Sequence, residues 1–379
     1  MESICKKLLR HCLEGSPWSA APIDEIRGGL ASDSGSRIFF RDLIEPLGDL
    51  FEPRLCDAYA RLMSDILDDA SLAARYERVR KPRSVIQTPA TVYVLSRITL
   101  GADVAVTSVF LDAAKARFPN ARIVFLGPRK NWELFAADKR IEHRDFQYGR
   151  SASFADRIAS KPWIDDDNAI VLDPDSRLSQ LGLLPVTPHD DNYYFFESRA
   201  YRAESADSLP ELASQWCLET LGVRGRAYVA PKSADAIEPS KVTVNLGVGE
   251  NPFKRLADPF ERDLLTALPE DTLIDLGGSE QEAERVRNAA GGATKRMFQG
   301  SFADFAWLIS QSRLYVGYDS AGMHVAAACG VPLLCVFAGA LSERFYQRWR
   351  PTGSGEIRIV RPGPDAHEKA RDALRNLLY

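Results

Sequence analysis

The chain has few cysteines, no long apolar run and little net charge, and each shortage excludes a class of protein. Its six cysteines form no CxxC pair and have no histidine cluster nearby, so reduced and mostly buried thiols are favoured over disulfides or a zinc site. No stretch approaches the ~18 apolar residues of a membrane span. The N-terminal residues also lack an apolar core of signal-peptide length. We therefore expect a cytoplasmic protein without a transmembrane segment.

The overall composition is that of an ordinary globular protein. Hydrophobic residues make up 45%, charged residues 26%, and the formal net charge is -4. A mildly acidic chain argues against a nucleic acid or an anionic membrane as the main partner, because both need a basic face. A length of 379 residues favours two domains over a single core.

The pattern of apolar residues divides the chain into an extension and two α/β lobes. Residues 1–85 carry apolar residues at helical spacing, interrupted by Pro46 and Pro53, and predict a helical extension. From Thr91 the order is strand, helix (Asp103 to Arg117) and strand, a βαβ unit that implies parallel strands. The strand AIVLD and the helix LPELASQWCLETLGV continue this lobe, which we place at residues 86–230.

A second α/β series occupies residues 240–360. The strands VTVNLG, TLIDLGG and RLYVGY alternate with the helices DPFERDLLTALP, SEQEAERVRNAAGG and SFADFAWLISQS. Residues 361–379 predict a C-terminal helix. The fold class is therefore α/β, with two parallel-sheet lobes behind a helical extension.

The stretch LYVGYDSAGMHVAAACGVPLLCVFAG, residues 314–339, places a small polar turn between a buried strand and an alanine-rich helix. Ligands of open α/β sheets bind at this position, beyond the carboxyl end of a strand, where a helix N-terminus offers unpaired N–H groups and partial positive charge. Small residues would let a diphosphate approach those groups. Alternatively, Asp319 or Ser320 is only a helix cap and His324 a core histidine. Asp319 could also accept hydrogen bonds from sugar hydroxyls, and His324 could donate to phosphate oxygens. The candidate ligand-binding residues of the turn are Asp319, Ser320, Ala321, Gly322, Met323 and His324.

This stretch resembles the signature of glycosyltransferase family 9, the ADP-heptose:lipopolysaccharide heptosyltransferases. The family pattern is a strand, Asp-Thr/Ser-x-x-x-His, an alanine-rich helix, Gly-x-Pro and a strand ending in Phe-Gly. The resemblance extends over residues 91–352 and implies a GT-B fold, in which two Rossmann-like lobes face each other. The matching residues are Asp319, Ser320, Gly322, His324, Gly330, Pro332 and Phe337, with Ala338 inserted before Gly339.

The resemblance also assigns donor-binding roles elsewhere in the second lobe. Lys254 and Arg255 fall where the family holds the donor's phosphates, and a cation there would stabilise a departing diphosphate. A solvated basic pair is the alternative. A carboxylate after the next strand meets the ribose in the family, and Glu282 rivals Glu280 for that role. The candidates in that second turn and in the base pocket are Gly277, Gly278, Ser279, Glu280 and Gly300.

In the first lobe, the resemblance identifies Asp103 as the general base. Asp103 follows Arg97 by six positions, which is the family's spacing, but Gly101 comes one place early and Ala102 occupies the expected glycine position. A helix N-cap is the alternative role for Asp103. Acceptor-side candidates are Arg97, Arg129 (beside Lys130), Asp173 and Arg177. Asp173 and Asp175 form a DxD pair, for which a loop-anchoring turn with Arg177 as partner is an equal alternative.

The resemblance implies an inverting glycosyltransferase that needs no metal ion and no cofactor besides its nucleotide-sugar donor, for which ADP-heptose is the family's example. The donor is expected on the second lobe and an acceptor of unknown kind (glycan, lipid-linked glycan, small molecule or protein) on the first. A non-catalytic nucleotide-sugar-binding protein and a nucleotide-sugar epimerase of the same fold are the alternatives. The helical extension could cover the acceptor site, form an oligomer or bind a protein acceptor.

Overall fold

A computed structural model describes residues 1–149, 152–234, 237–248, 254–256, 259–291 and 295–378. The chain divides into two compact units. The first contains Met1–Ile98, Phe110–Arg129 and Arg140–Gly225; the second contains Thr99–Val109, Lys130–Lys139 and the chain from Arg226 onward. The second unit thus includes two short segments from the predicted first lobe.

The N-terminal region is helical, as predicted. Pro53 starts its longest helix at a position where a missing N–H costs nothing, and Asp68 ends that helix in a left-handed conformation. A wide π-helical turn, Phe40–Ile44, joins the third and fourth helices. The helices are α1 (Glu2–Glu14), α2 (Ala20–Gly29), α3 (Asp33–Phe39), α4 (Glu45–Asp49), α5 (Pro53–Leu67) and α6 (Ala70–Val79).

The first unit is built on a five-stranded parallel sheet with the order β3-β2-β1-β4-β5. Thr91 pairs with Arg122 on one side and with Ala169 on the other, so the three central strands start level. The strands are β1 (Thr91–Leu95), β2 (Arg122–Gly127), β3 (Ile141–Asp145), β4 (Ala169–Asp173) and β5 (Tyr193–Phe195). The helices of this part of the chain are α7 (Leu100–Ala102), α8 (Ser108–Arg117), α9 (Arg129–Trp132), α10 (Phe154–Ala159) and α11 (Leu209–Leu221).

The extension and this sheet share one hydrophobic core. Leu8 and Leu62 from the extension lie in the same buried cluster as Leu126 and Val171 from the sheet. Polar contacts join the same elements: Arg75 Nε lies 2.7 Å from Asp190 Oδ1, and the buried Tyr59 donates a 2.8 Å hydrogen bond to the carbonyl of Gln180. The extension is therefore part of the first unit.

The second unit is built on a six-stranded parallel sheet with the order β11-β10-β9-β6-β7-β8. Helix ends follow local sequence signals, such as the left-handed glycines Gly291 and Gly330 after their helices. The strands are β6 (Val242–Asn245), β7 (Thr272–Asp275), β8 (Arg296–Phe298), β9 (Leu314–Tyr318), β10 (Leu333–Val336) and β11 (Ile357–Val360). The helices are α12 (Phe260–Ala267), α13 (Glu280–Ala290), α14 (Phe302–Ser310), α15 (Ala321–Cys329), α16 (Glu343–Trp349) and α17 (Ala366–Leu378).

Two parallel sheets and a helical N-terminal region confirm the predicted fold class. In the part of the chain that the structure describes, no helix has the length and apolar character needed to cross a bilayer.

Candidate functional site

The predicted phosphate-binding turn lies at the carboxyl end of β9, between β6 and β10 in the middle of the second sheet. Ser320 occupies the N-cap position of α15 with extended backbone, φ -142°, but its side chain makes no capping hydrogen bond. Capping by Ser320, the alternative interpretation, is therefore not observed. The first N–H groups of α15 receive no bond from that side chain, which leaves the end of the helix suited to an anion.

Lys254 contacts this turn through Asp319. Its Nζ lies 2.7 Å from Asp319 Oδ2 and donates a 2.9 Å hydrogen bond to the Asp319 carbonyl. Gly339 makes room for the lysine, since a Cβ there would lie 2.3 Å from Lys254 Cγ. Burial raises the pKa of Asp319, and the ammonium of Lys254 opposes that shift. The structure thus places a cation beside a helix N-terminus, and Lys254 is not a solvated surface residue.

His324 lies in the first turn of α15 and is 6% exposed. Burial, followed by the charge of Lys254, lowers the pKa of His324 to about 3, so the imidazole is neutral at neutral pH. Its ring packs edge-on against Trp349 at 5.9 Å between centroids. No hydrogen bond reaches the imidazole from any residue that the structure describes. Among the described residues, its ring N–H therefore has no protein acceptor, which is compatible with donation to a ligand.

The small residues of the turn have a packing role as well. A Cβ on Gly322 would lie 2.2 Å from Tyr315 Oη, and Tyr315 is fully buried on β9. Met323 is also buried, with Cys335 Sγ 3.3 Å from its Sδ. Gly322 therefore permits α15 to pack on its own strand, which is a reason for a glycine that does not depend on any ligand.

Arg255 makes different contacts from Lys254. Its guanidinium donates to both carboxylate oxygens of Glu282, at 2.6 Å to Oε2, and Arg285 Nη2 donates to Glu282 Oε1 at 2.9 Å. Both oxygens of Glu282 are thus engaged by arginines. In this structure Arg255 holds the first turn of α13, and Glu282 contacts Arg255 instead of presenting two free oxygens to a sugar.

The other candidates of the second lobe lie around the same helix. Ser279 caps α13 by accepting a 3.2 Å hydrogen bond from the Glu282 N–H, whereas Glu280 is exposed and pairs with Arg287 at 2.9 Å. Gly277 has φ +77°, a conformation that disfavours any side chain. Gly300 is exposed, and a Cβ there would lie 2.6 Å from the ring of Phe298.

Asp103 is fully buried and both of its carboxylate oxygens accept hydrogen bonds. Thr107 Oγ1 donates to Oδ1 at 2.6 Å, and Asn131 Nδ2 donates to Oδ2 at 2.5 Å. The helix was predicted to start at Asp103, but it starts at Leu100 with Thr99 at the cap position. Asp103 instead opens a π-helical turn, Asp103–Thr107, a feature frequent at functional sites. It is therefore not an N-cap.

The segment that carries Asp103 lies against the start of α15, within the second unit. A Cβ on Gly101 would lie 3.2 Å from Ala321 Cα and 3.3 Å from His324 Cδ2. This contact gives the displaced glycine a physical reason, because a side chain at Gly101 would be crowded against the start of α15. The structure thus brings the predicted base and the predicted phosphate turn into one neighbourhood.

The acceptor-side candidates belong to the first unit and do not form one cluster of contacts. Arg97 donates to the Pro174 carbonyl at 2.7 Å and to Ser198 Oγ at 3.0 Å, and Arg129 is exposed at the start of α9. Asp173 is fully buried; its carboxylate accepts from the Ser176 N–H, the Ser179 hydroxyl and the Tyr193 hydroxyl.

Asp173 therefore anchors its loop, with serine and tyrosine partners in place of the arginine proposed from the sequence. Burial raises the pKa of Asp173 to about 6. Asp175 pairs with Arg199 at 3.1 Å. Arg177 lies in the short 3₁₀ turn that follows, is partly exposed and has no hydrogen bond, ion pair or ring contact within the described residues.

Asn131 and Thr107 are the site residues that the sequence analysis missed. Thr107 follows Asp103 by four positions, so a shared helical face could have identified it. Asn131 follows β2, the neighbour of the strand that precedes Asp103, and residues after adjacent parallel strands meet at one sheet edge. Across the described ranges, no group of three or more His, Cys, Asp or Glu side chains is arranged to hold a metal ion.

Comparisons with known proteins agree with the resemblance to glycosyltransferase family 9. Residues 264–370 match the model of glycosyltransferase family 9 (heptosyltransferase). The fold is similar to a glycosyl transferase family 9 protein from Veillonella parvula (16% identity, 76% of this chain and 97% of that chain, TM-score 0.54). It is also similar to Escherichia coli ADP-heptose lps heptosyltransferase II and to E. coli heptosyltransferase WaaC with ADP, each at 15% identity, 76% and 98% coverage and TM-score 0.54.

No curated protein sequence matches the chain. The family match confirms the resemblance noted in the sequence, and the structural similarity confirms a GT-B fold of two Rossmann-like lobes. Residues 264–370, in the second lobe, are therefore similar to glycosyltransferase family 9.

Proposed function

We propose that the protein is an inverting, metal-independent glycosyltransferase that moves a sugar from a nucleoside-diphosphate donor to an acceptor hydroxyl. The observation that carries the proposal is the cation at the helix N-terminus, with Lys254 Nζ 2.7 Å from Asp319 Oδ2 beside the start of α15. A departing diphosphate gains negative charge, and fixed positive charge at that place stabilises it. The matched family and the similarity to E. coli ADP-heptose lps heptosyltransferase II favour ADP-heptose as the donor.

The reaction is a single displacement. The acceptor oxygen attacks the anomeric carbon while the bond from that carbon to the diphosphate oxygen breaks, and the bonding pair leaves with the diphosphate. The carboxylate of Asp103 takes the proton from the attacking hydroxyl. Lys254, the N–H groups of α15 and a donor nitrogen of His324 receive the leaving group's charge. Attack opposite to the leaving group inverts the anomeric configuration.

One observation favours a second candidate, a nucleotide-sugar-binding protein without transfer activity. Asp103 is fully buried and both of its oxygens are engaged, so an acceptor hydroxyl must displace a bond to reach it. Catalytic hydrogen bonds commonly reach their working geometry only when substrate is bound. Transfer assays separate the two candidates, because both bind the donor and only one consumes it.

The first test is ligand binding by thermal shift with ADP, UDP, GDP and dTDP at millimolar concentration. A ligand at about a hundred times its dissociation constant adds roughly 2.7 kcal/mol of stability. Lys254→Ala should weaken nucleoside diphosphate binding by about 1.5–3 kcal/mol, and nucleoside binding much less, because the ammonium bonds to phosphate. Lys369→Ala, at an exposed lysine of the same unit, is the control.

A protein whose melting temperature responds to none of the four diphosphates is not a transferase of this kind. Equal affinity in Lys254→Ala and the parent would remove Lys254 from the site. Transfer should also proceed unchanged in EDTA, and a strict requirement for Mg²⁺ or Mn²⁺ would contradict the metal-independent mechanism.

A further inference from the structure

The backbone next to Lys254 is bound by a residue that the proposed reaction does not use. Leu256, two positions after the lysine, donates its backbone N–H to the hydroxyl of Tyr318 at 3.3 Å. Tyr318 is the last residue of β9 and is fully buried. The residue after it, Asp319, accepts from Nζ of Lys254. Two consecutive residues at the end of one strand therefore hold both the backbone of this segment and the tip of its lysine.

The side chain of Tyr318 has a fixed place of its own in the second unit. Its backbone pairs with Val336 of β10, and its ring packs against Phe260 of α12 with 6.4 Å between centroids. A phenylalanine would fill the same space, so packing does not explain the hydroxyl. A buried phenol hydroxyl needs a hydrogen-bond partner, and the N–H of Leu256 is one. The hydroxyl thus joins a rigid strand to the segment that carries Lys254.

A separate contact holds the residue between Lys254 and Leu256. Arg255 donates to both carboxylate oxygens of Glu282, which ties the segment to α13. Three successive residues are therefore bound, the outer two to the end of β9 and the middle one to α13. A lysine side chain is long and flexible, and a charge that is already in place stabilises a leaving group better than one that must first be ordered. These contacts supply that order.

We propose that Tyr318 is a positioning residue, whose hydroxyl fixes the backbone of residues 254–256 and so places the ammonium of Lys254 beside the start of α15. This inference rests on the proposed function, because it concerns the cation assigned to the diphosphate. Tyr318 acts on the diphosphate through Lys254 and not by contact with it. Loss of the hydroxyl should therefore weaken diphosphate binding only while the lysine is present.

The test is a double-mutant cycle of Tyr318→Phe and Lys254→Ala, with dissociation constants measured by isothermal titration calorimetry. The probes are the member of ADP, UDP, GDP and dTDP that binds the parent most tightly, and the corresponding nucleoside. Tyr318→Phe keeps the ring and its packing against Phe260. In the parent it should weaken diphosphate binding about three- to tenfold, the equivalent of one hydrogen bond. In the Lys254→Ala background the same change should cost less than about twofold.

Two controls accompany the cycle. Nucleoside affinity should be the same in Tyr318→Phe and in the parent, because the nucleoside has no phosphate for Lys254 to bind. Tyr228→Phe removes another phenol hydroxyl of the second unit, which donates to Asp138 at 3.1 Å, and should change neither affinity.

The remaining outcomes contradict the proposal. Equal losses of diphosphate affinity with and without Lys254 would mean that the hydroxyl does not act through the lysine. A parallel loss of nucleoside affinity would assign Tyr318 to the general structure of the unit. A parent that binds a diphosphate, with Tyr318→Phe binding it equally well, contradicts this inference alone. A parent that binds none of the four diphosphates contradicts the proposed function, and this inference with it.

Discussion

At the scale of single residues, burial moves the titration of His324 far from that of an imidazole in water. Its pKa in the folded protein is about 3, whereas the imidazole of an unfolded chain titrates near 6.5. The unfolded state therefore binds the proton first, and stability falls as the pH drops from about 6.5 towards 3. The loss from this one group should reach about 2 kcal/mol between pH 7.5 and pH 5.

Replacing His324 by Gln should remove that part of the pH dependence. The free energy of unfolding, measured by urea titration at pH 7.5, 6 and 5, should fall less for the variant than for the parent. Asp173 acts in the opposite direction, since its pKa is raised to about 6 and its stabilising effect is lost as pH rises. That contribution is common to both proteins and cancels in the comparison. Parallel curves for the two proteins would show that His324 is not held neutral.

Asp103→Asn separates a catalytic carboxylate from a structural one. The side-chain oxygen of the new amide can still accept from Asn131, and its NH₂ group can donate to Thr107, whose hydroxyl rotates to accept. The fold should therefore tolerate the change, while transfer falls by roughly a hundred- to ten-thousand-fold for want of a base. Donor affinity and melting temperature should stay close to those of the parent.

Transfer rate, donor affinity and melting temperature must be measured together on this variant. Undiminished transfer would assign Asp103 to structure alone. Thr107→Val is a useful companion, because it removes one hydrogen bond to the carboxylate but leaves its charge; it should shift the pH profile of transfer without abolishing it.

At the scale of elements, the packing of α15 on β9 limits which substitutions the predicted phosphate-binding turn tolerates. Gly322→Ala places a methyl group 2.2 Å from Tyr315 Oη, inside a buried strand–helix contact. We expect overpacking to cost about 1–3 kcal/mol and to move the helix start, so that nucleoside diphosphate affinity falls as well. Tyr315→Phe in the same chain removes the clashing oxygen and should restore part of both losses. An unaffected melting temperature in Gly322→Ala would contradict the packing role.

The order and type of these elements could be predicted because their signals are local. The strand from Leu314 to Tyr318 is a continuous apolar run, and Gly330 marks the end of α15 as a left-handed glycine. Asp319 and His324 could be predicted as site residues because Asp319 directly follows the end of β9 and His324 lies in the first turn of α15. The start of the Asp103 helix was placed three residues late, because its N-cap Thr99 makes no side-chain bond and leaves no strong signal.

Contacts between distant residues could not be predicted in the same way. Arg255 bonds to Glu282, which lies 27 positions later, and Asn131 reaches Asp103 across 28 positions. Such pairings depend on how the elements pack. The sequence around a basic residue does not tell whether its side chain binds a ligand's phosphate or a glutamate of the protein. Lys254 and Arg255 are adjacent in sequence and were both predicted to bind phosphate. In the structure Lys254 contacts Asp319, whereas Arg255 contacts Glu282.

At the scale of the whole molecule, the shared core predicts that the extension and the first sheet unfold as one unit. Leu62, on α5, is fully buried in the same cluster as Val171 on β4. Leu62→Ala should cost about 2–5 kcal/mol through lost burial and an internal cavity. If the unit is cooperative, hydrogen exchange followed by mass spectrometry should show faster exchange in β1 (Thr91–Leu95) and β4 as well as in α5.

Leu218→Ala, at a leucine of α11 that is 36% exposed, is the control in the same unit and should change exchange little. Peptides from the second sheet, such as β9, serve as an internal reference, since they belong to a different core. Faster exchange confined to residues 1–80 would mean that the extension opens independently, as an added domain would. Faster exchange across the first sheet would mean that its strands depend on the extension for their stability, so that a protein starting near Thr91 would lose much of its first core.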